Sequence, residues 1–168
     1  MSIEFFMDRM VGKWVSQSTY YTSSSNRNSR NIFSKTLINQ VKWSNVNNNK
    51  TIINSIKKQV NKEKIKNHIR LYKIESNNNH TFISYIAFFK NQENNLCLVK
   101  FNQALQQVNS FIFVKVSNSH LCLISQVYDI TILEKIYFLN TNVKLVKSIT
   151  KKSNKCILTS FSSEIKIS

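Results

Sequence analysis

Three side chains capable of chemistry, Glu134, Lys144 and Ser148, sit in one run that reads as a hairpin: Glu134-Lys-Ile-Tyr-Phe138, Leu139-Asn-Thr-Asn142, Val143-Lys-Leu-Val-Lys-Ser148. The two outer pieces are β-type. The piece between them is rich in Asn, which tolerates left-handed backbone. Side chains two apart on a strand share a face. Glu134, Ile136 and Phe138 therefore share one face, and Lys144, Val146 and Ser148 share one face of the next strand. A turn centred near Thr141 places Glu134 across from Ser148 and Phe138 across from Lys144. That would gather a carboxylate able to accept hydrogen bonds or move protons, an ammonium able to hold a carboxylate, and a hydroxyl able to do either job more weakly. From pattern alone the plainer reading is a solvated face.

Other reactive side chains are less promising. Cys97, Cys122 and Cys156 are widely spaced, form no CxxC, and lie in apolar runs where Cys is ordinarily a small buried hydrophobe. A reducing compartment fits that usage. His68, His80 and His120 share no metal-ligand spacing, so no metal site is expected.

The elements that must position these residues are short. At 168 residues the chain suits one domain over 1–168 with a sizeable core. Residues 2–11 read as a helix with Ile3, Phe6, Met7 and Met10 on one stripe, Ser2 as its cap and Gly12 at its end, covering the end of something. A β-run follows from Trp14 to Tyr21, then a polar loop at 23–30 and a second strand at 33–41. A second short helix is expected at 51–60, where Ile52, Ile56 and Val60 recur; Lys57, Lys58, Lys62, Lys64 and Lys66 read as a solvated face that could also steer an acidic partner. Strands are expected at 69–75, 81–89, 96–101, 110–116, 120–128, 132–139, 143–150 and 156–167. Asn clusters mark the turns, because Pro is absent and Gly12 is the only glycine. Many short strands with regular turns predict an all-β antiparallel barrel or sandwich. In the last run Ile157, Phe161, Ile165 and Ile167 alternate with Ser160, Ser162, Glu164 and Lys166.

The formal net charge is +16. It draws the chain toward acidic proteins, anionic ligands, nucleic acid or anionic lipid. The lysines are dispersed, with no run of five or six, which argues against a dedicated nucleic-acid arm. No apolar run is long enough for a membrane-spanning helix, and Glu4 and Asp8 interrupt the apolar residues that a secretory signal would need. The Asn, Lys and Ile usage is that of an AT-rich genome such as an organelle's.

Gly12-Lys-Trp14 after a short helix resembles the opening of lipocalin-type barrels, in which the Trp plugs the floor. Three blocks carry a more specific resemblance. Phe5-Phe6 through Gly12-Lys-Trp-Val-Ser-Gln-Ser-Thr19, Glu134-Lys-Ile-Tyr-Phe138 through Asn142-Val-Lys-Leu-Val-Lys-Ser148, and Thr159-Ser-Phe-Ser-Ser-Glu-Ile-Lys166 follow FF…GxWxSQRT, ERIWF…PNLRLRTS and SFCSEIR. In order and spacing the chain resembles the CpcS/CpeS family of phycobiliprotein lyases, of the red-algal plastid type. It departs from that family at Ser18, Lys144, Val146 and Lys166, where the family has Arg, and at Tyr20 and Tyr21, where His is frequent.

The resemblance implies a lipocalin-like antiparallel β-barrel with an N-terminal helix and one additional short helix. It implies a lyase that binds a linear tetrapyrrole and joins it by a thioether to a cysteine of a phycobiliprotein subunit. The bilin is a substrate, with no permanently bound cofactor. The acceptor would be a phycocyanin or phycoerythrin subunit, the β subunit being expected, in the plastid stroma, with a homo- or hetero-dimer of the lyase as an option and no nucleic acid or membrane span. Glu134 becomes the catalytic candidate and partner of the pyrrole N–H groups. Lys144 becomes the propionate ligand, and Ser148 a hydrogen-bond donor. Tyr85 and Phe89, in Ser84-Tyr-Ile-Ala-Phe-Phe89, become stacking partners for the rings, and Val146 marks the place of a missing second cation. Trp14 belongs to the floor. The competing readings are a non-catalytic carrier of a bilin or apolar ligand, and a basic nucleic-acid-binding barrel.

Overall fold

Runs of β-branched and aromatic residues separated by Asn and Ser favour pairing between sequence neighbours. The computed structural model describes residues 3–23, 29–41, 70–77, 81–90, 95–104, 112–117 and 119–167. Helix α1 (Ile3–Met10) leads into β1 (Gly12–Thr22), β2 (Ser29–Val41), β3 (Arg70–Asn77), β4 (Thr81–Lys90) and β5 (Leu96–Asn102). Then come β6 (Ile112–Val116), β7 (His120–Val127), β8 (Ile130–Phe138), β9 (Val143–Lys152) and β10 (Lys155–Lys166). Every strand pairs antiparallel with the next, and β1 pairs with β10, so the sheet closes into a barrel of the expected all-β kind. Strand β2 starts inside the expected loop at 23–30. The expected helix at 51–60 lies outside the described residues. No helix among the described residues is long and apolar enough to cross a membrane.

The tight turns are made without glycine. Ser153 and Asn154 join β9 to β10 with φ of 46° and 66°. Positive φ at both central residues is the requirement of a two-residue type I′ hairpin. Gly12 has φ of 132°. That region is closed to residues with a Cβ, so the only glycine stands where the chain swings from α1 into β1. The Asn-rich turn of the β8–β9 hairpin closes through Leu139 N–H to Val143 O at 3.0 Å, with Asn142 N–H donating to Asn140 Oδ1 at 2.8 Å.

The core lies inside the barrel and is capped by the helix. Phe6 and Met7 of α1 join Trp14, Ile38, Tyr72, Phe88, Leu98 and their neighbours in one cluster, with Ile3 and Met10 packed against it. The stripe read from the sequence thus covers one end of the barrel. Trp14 is its floor, fully buried. Its indole N–H donates to Met10 O at 2.8 Å, satisfying a carbonyl in the last turn of α1. Phe138 meets Trp14 edge-on at 6.2 Å between ring centroids. On β3 to β5 the outward-facing residues are also withdrawn from solvent: Leu71, Ala87, Phe89, Cys97, Val99 and Phe101 are all buried.

Strand β10 inverts the usual rule. Its polar residues Ser160, Ser162, Glu164 and Lys166 face the barrel interior, directly across from Tyr20, Ser18, Ser16 and Trp14. Its apolar set Ile157, Phe161 and Ile165 is exposed, as is Ile167 just beyond its end. Cys156, expected to be buried, is exposed beside a register shift between Cys156 and Leu158.

Candidate functional site

The hairpin register is the one the turn demands. Glu134 lies opposite Ser148, and Phe138 opposite Lys144. Ile136 and Phe138 belong to the interior cluster, so the period of two turns Glu134 inward as well. The same holds for Ser148, which alternates with Val146, also packed against that cluster.

Three inner register rows then describe the wall. The first runs Leu123, Glu134, Ser148, Ser160 and Tyr20 across β7, β8, β9, β10 and β1. Glu134 is half-buried, with buried Leu123 on one side and half-buried Ser148 on the other. Neither the Glu134 carboxylate nor the Ser148 hydroxyl makes a hydrogen bond or ion pair with another residue described in the structure. A carboxylate beside an apolar wall with its acceptor capacity unused can take N–H donors from a ligand or exchange a proton with one.

The second row runs Ile136, Val146, Ser162 and Ser18. The Ser18 and Ser162 hydroxyls are 2.6 Å apart. Two of the positions where the resembled family carries Arg, Ser18 and Val146, thus lie in one row, two strands apart. Here that row holds a hydrogen-bonded hydroxyl pair and an apolar side chain instead of cations.

The third row runs Phe138, Lys144, Glu164 and Ser16. Lys144 is 2% exposed. Its ammonium is 3.0 Å from Glu164 Oε2 and 4.2 Å from the Trp14 ring centroid. Its Nζ is also 3.5 Å from Met10 Sδ. Burial holds the Lys144 pKa below the ordinary lysine value; the Glu164 carboxylate pulls it back up by charge and hydrogen bond, and Lys166 pushes it further down. Lys144 is accordingly engaged in the floor with Trp14, and charge counting along the hairpin alone does not reveal its partner Glu164. The signal for Glu164 was the polar alternation of β10.

Tyr85 and Phe89 do not join this site. Both occupy odd positions of β4, whereas Ile86 and Phe88 between them face the interior cluster. Strand alternation therefore sends Tyr85 and Phe89 to the outer face, where Phe89 is buried. The stretch is apolar at every position, so periodicity could not tell its two faces apart. No three His, Cys, Asp or Glu side chains among the described residues are grouped to hold a metal ion.

No protein-family model matches the chain, and no curated protein does. Solved structures do match. The S-type phycobiliprotein lyase CpeS from Guillardia theta aligns over 100% of this chain and 94% of its own, with a TM-score of 0.72 at 18% sequence identity. The helix-capped closed barrel is therefore the fold of that lyase.

Proposed function

We propose that this chain is a phycobiliprotein chromophore lyase, which binds a linear tetrapyrrole inside the barrel and passes it to a cysteine of a phycobiliprotein subunit. The observation that carries the reading is the Glu134 carboxylate on the inner wall, opposite Ser148 and beside Leu123 and unengaged by any other described residue. It stands in the block that follows ERIWF, on a fold shared with a phycobiliprotein lyase. A bilin is a long π-system with pyrrole N–H groups along one edge. An interior with apolar residues on β6 to β8 and hydroxyls on β9, β10 and β1 suits such a ligand.

In the transfer, the acceptor thiol adds across the ethylidene double bond of the bilin. A C–S bond forms, the π bond is lost, and the thiol proton ends on the neighbouring carbon, with no net oxidation. Glu134 holds the pyrrole N–H groups and relays the proton. Ser148 donates to a ligand oxygen. Lys144, already paired with Glu164, supports the floor rather than a propionate.

Co-expression with bilin-synthesising enzymes and candidate phycobiliprotein subunits tests this by covalent, acid-stable colour on the subunit. Glu134→Gln keeps the shape and one acceptor but cannot carry charge or a proton. It is expected to slow transfer by about 10²-fold or more while the protein stays folded. Transfer at the wild-type rate in soluble Glu134→Gln protein would remove Glu134 from the mechanism.

A further inference from the structure

The outer wall of β6 to β9 carries a feature that the interior chemistry does not use. Lys147 lies directly across from Lys135, Lys135 across from Cys122, and Cys122 across from Lys115. Three lysines thus form one row over four adjacent strands spaced about 4.8 Å apart. Like charges directly opposite each other on a sheet face are unfavourable. None of the three makes an ion pair with another residue in the described structure. Of the carboxylates on β6 to β10, Glu134 and Glu164 both face inward, so the outer face of these strands has no acid.

Apolar side chains border the basic row. On one side Leu145 pairs with Tyr137, and on the other Ile149, Leu133, Ile124 and Phe113 follow in register. Phe161, across from Lys147, is 46% exposed, and Phe113 is 50% exposed. A cationic stripe between apolar bands matches a partner whose carboxylates are likewise flanked by apolar side chains.

We infer that this face docks an acidic protein surface, and that the occupant is the acceptor subunit of the proposed transfer; its identity rests on the lyase reading. A second copy of the chain fits poorly, because a two-fold contact over this row would set lysine against lysine. Nucleic acid fits poorly too, since phosphates would leave the apolar bands uncovered.

The test pairs two measurements on the full chain. The first is binding of a purified apo-phycobiliprotein β subunit to wild type, to Lys135→Glu/Lys147→Glu and to Lys135→Gln/Lys147→Gln, at low and high salt. The second is bilin titration by absorbance on the same proteins, with circular dichroism to establish folding. Charge reversal is expected to weaken subunit binding by about tenfold or more at low salt, neutralisation by less, with salt narrowing both gaps. The bilin spectra are expected to be unchanged, since neither lysine faces the interior. Equal subunit binding by wild type and folded variants overturns the docking face and leaves the lyase reading standing if bilin still binds. So does absence of subunit binding by the wild type. As controls, poly(U) binding, anionic-vesicle binding and self-association are measured on the same proteins; loss of one of these signals in the variants, with subunit binding intact, overturns the proposal in favour of that other occupant. Absence of any bilin spectrum in the wild type sinks the lyase reading, while a charge-dependent subunit complex would still support the face.

Discussion

At the scale of single residues, Lys144 shows how burial can redirect a charge. Its ammonium is stripped of water at the barrel floor, and the nearby Glu164 carboxylate only partly offsets that loss. A lysine whose folded pKa lies below its unfolded one binds fewer protons in the folded state between the two values. Stability therefore rises as pH climbs through that interval. Denaturant melts across the alkaline range are expected to show this rise in the wild type and to lose it in Lys144→Met/Glu164→Leu. The double variant should be neutral or more stable by about 1–4 kcal/mol, whereas Lys144→Met alone should cost about 3 kcal/mol by leaving Glu164 without its partner. A wild-type profile that stays flat through that interval would show that the ion pair cancels the desolvation completely. Much of this was unreadable in the chain. Glu134 and Ser148 could be paired because an Asn turn set their register, but the fate of Lys144 depended on Glu164, twenty residues away on a strand whose polar side faces inward.

At the scale of elements, the strands divide into those whose pattern speaks and those whose pattern does not. The β8–β9 hairpin was legible because loop position fixes register, and one slip would move every side chain to the other face. Strand β4 was not, because Tyr85, Ile86, Ala87, Phe88 and Phe89 are apolar on both faces and both faces are buried along much of it. Strand β10 was misleading to any rule that sends apolar residues inward, since its alternation is clean but reversed. The second inner row invites a direct change. Val146→Arg places a guanidinium in the row of Ser162 and Ser18, and is expected to tighten bilin binding by about 1.5–3 kcal/mol through a charged hydrogen bond to a propionate. It should also lower the melting temperature, because Val146 packs against the interior cluster. Absorbance titration and thermal melts separate the two effects. Weaker binding by a folded Val146→Arg protein would mark this row as a purely apolar wall.

At the scale of the whole molecule, the barrel holds together through its floor and its seam. Trp14 joins helix, strand and the Lys144–Glu164 pair at one point. Trp14→Ala is expected to cost about 3–5 kcal/mol, read from chemical denaturation, and to harm folding more than chemistry. A variant that melts like the parent yet no longer binds bilin would make Trp14 a ligand contact instead. The seam is where β1 meets β10, from Trp14 with Lys166 to Thr22 with Leu158. Its pairs join residues up to about the full length of the chain apart, as in Ser18 with Ser162. On a ribosome, β1 emerges first of the described strands and β10 last. The first strand must therefore wait, with one edge unpaired, until the last is made. Closure thus waits for β10. Slow translation of the preceding strands lengthens the time in which that open edge is exposed to other chains.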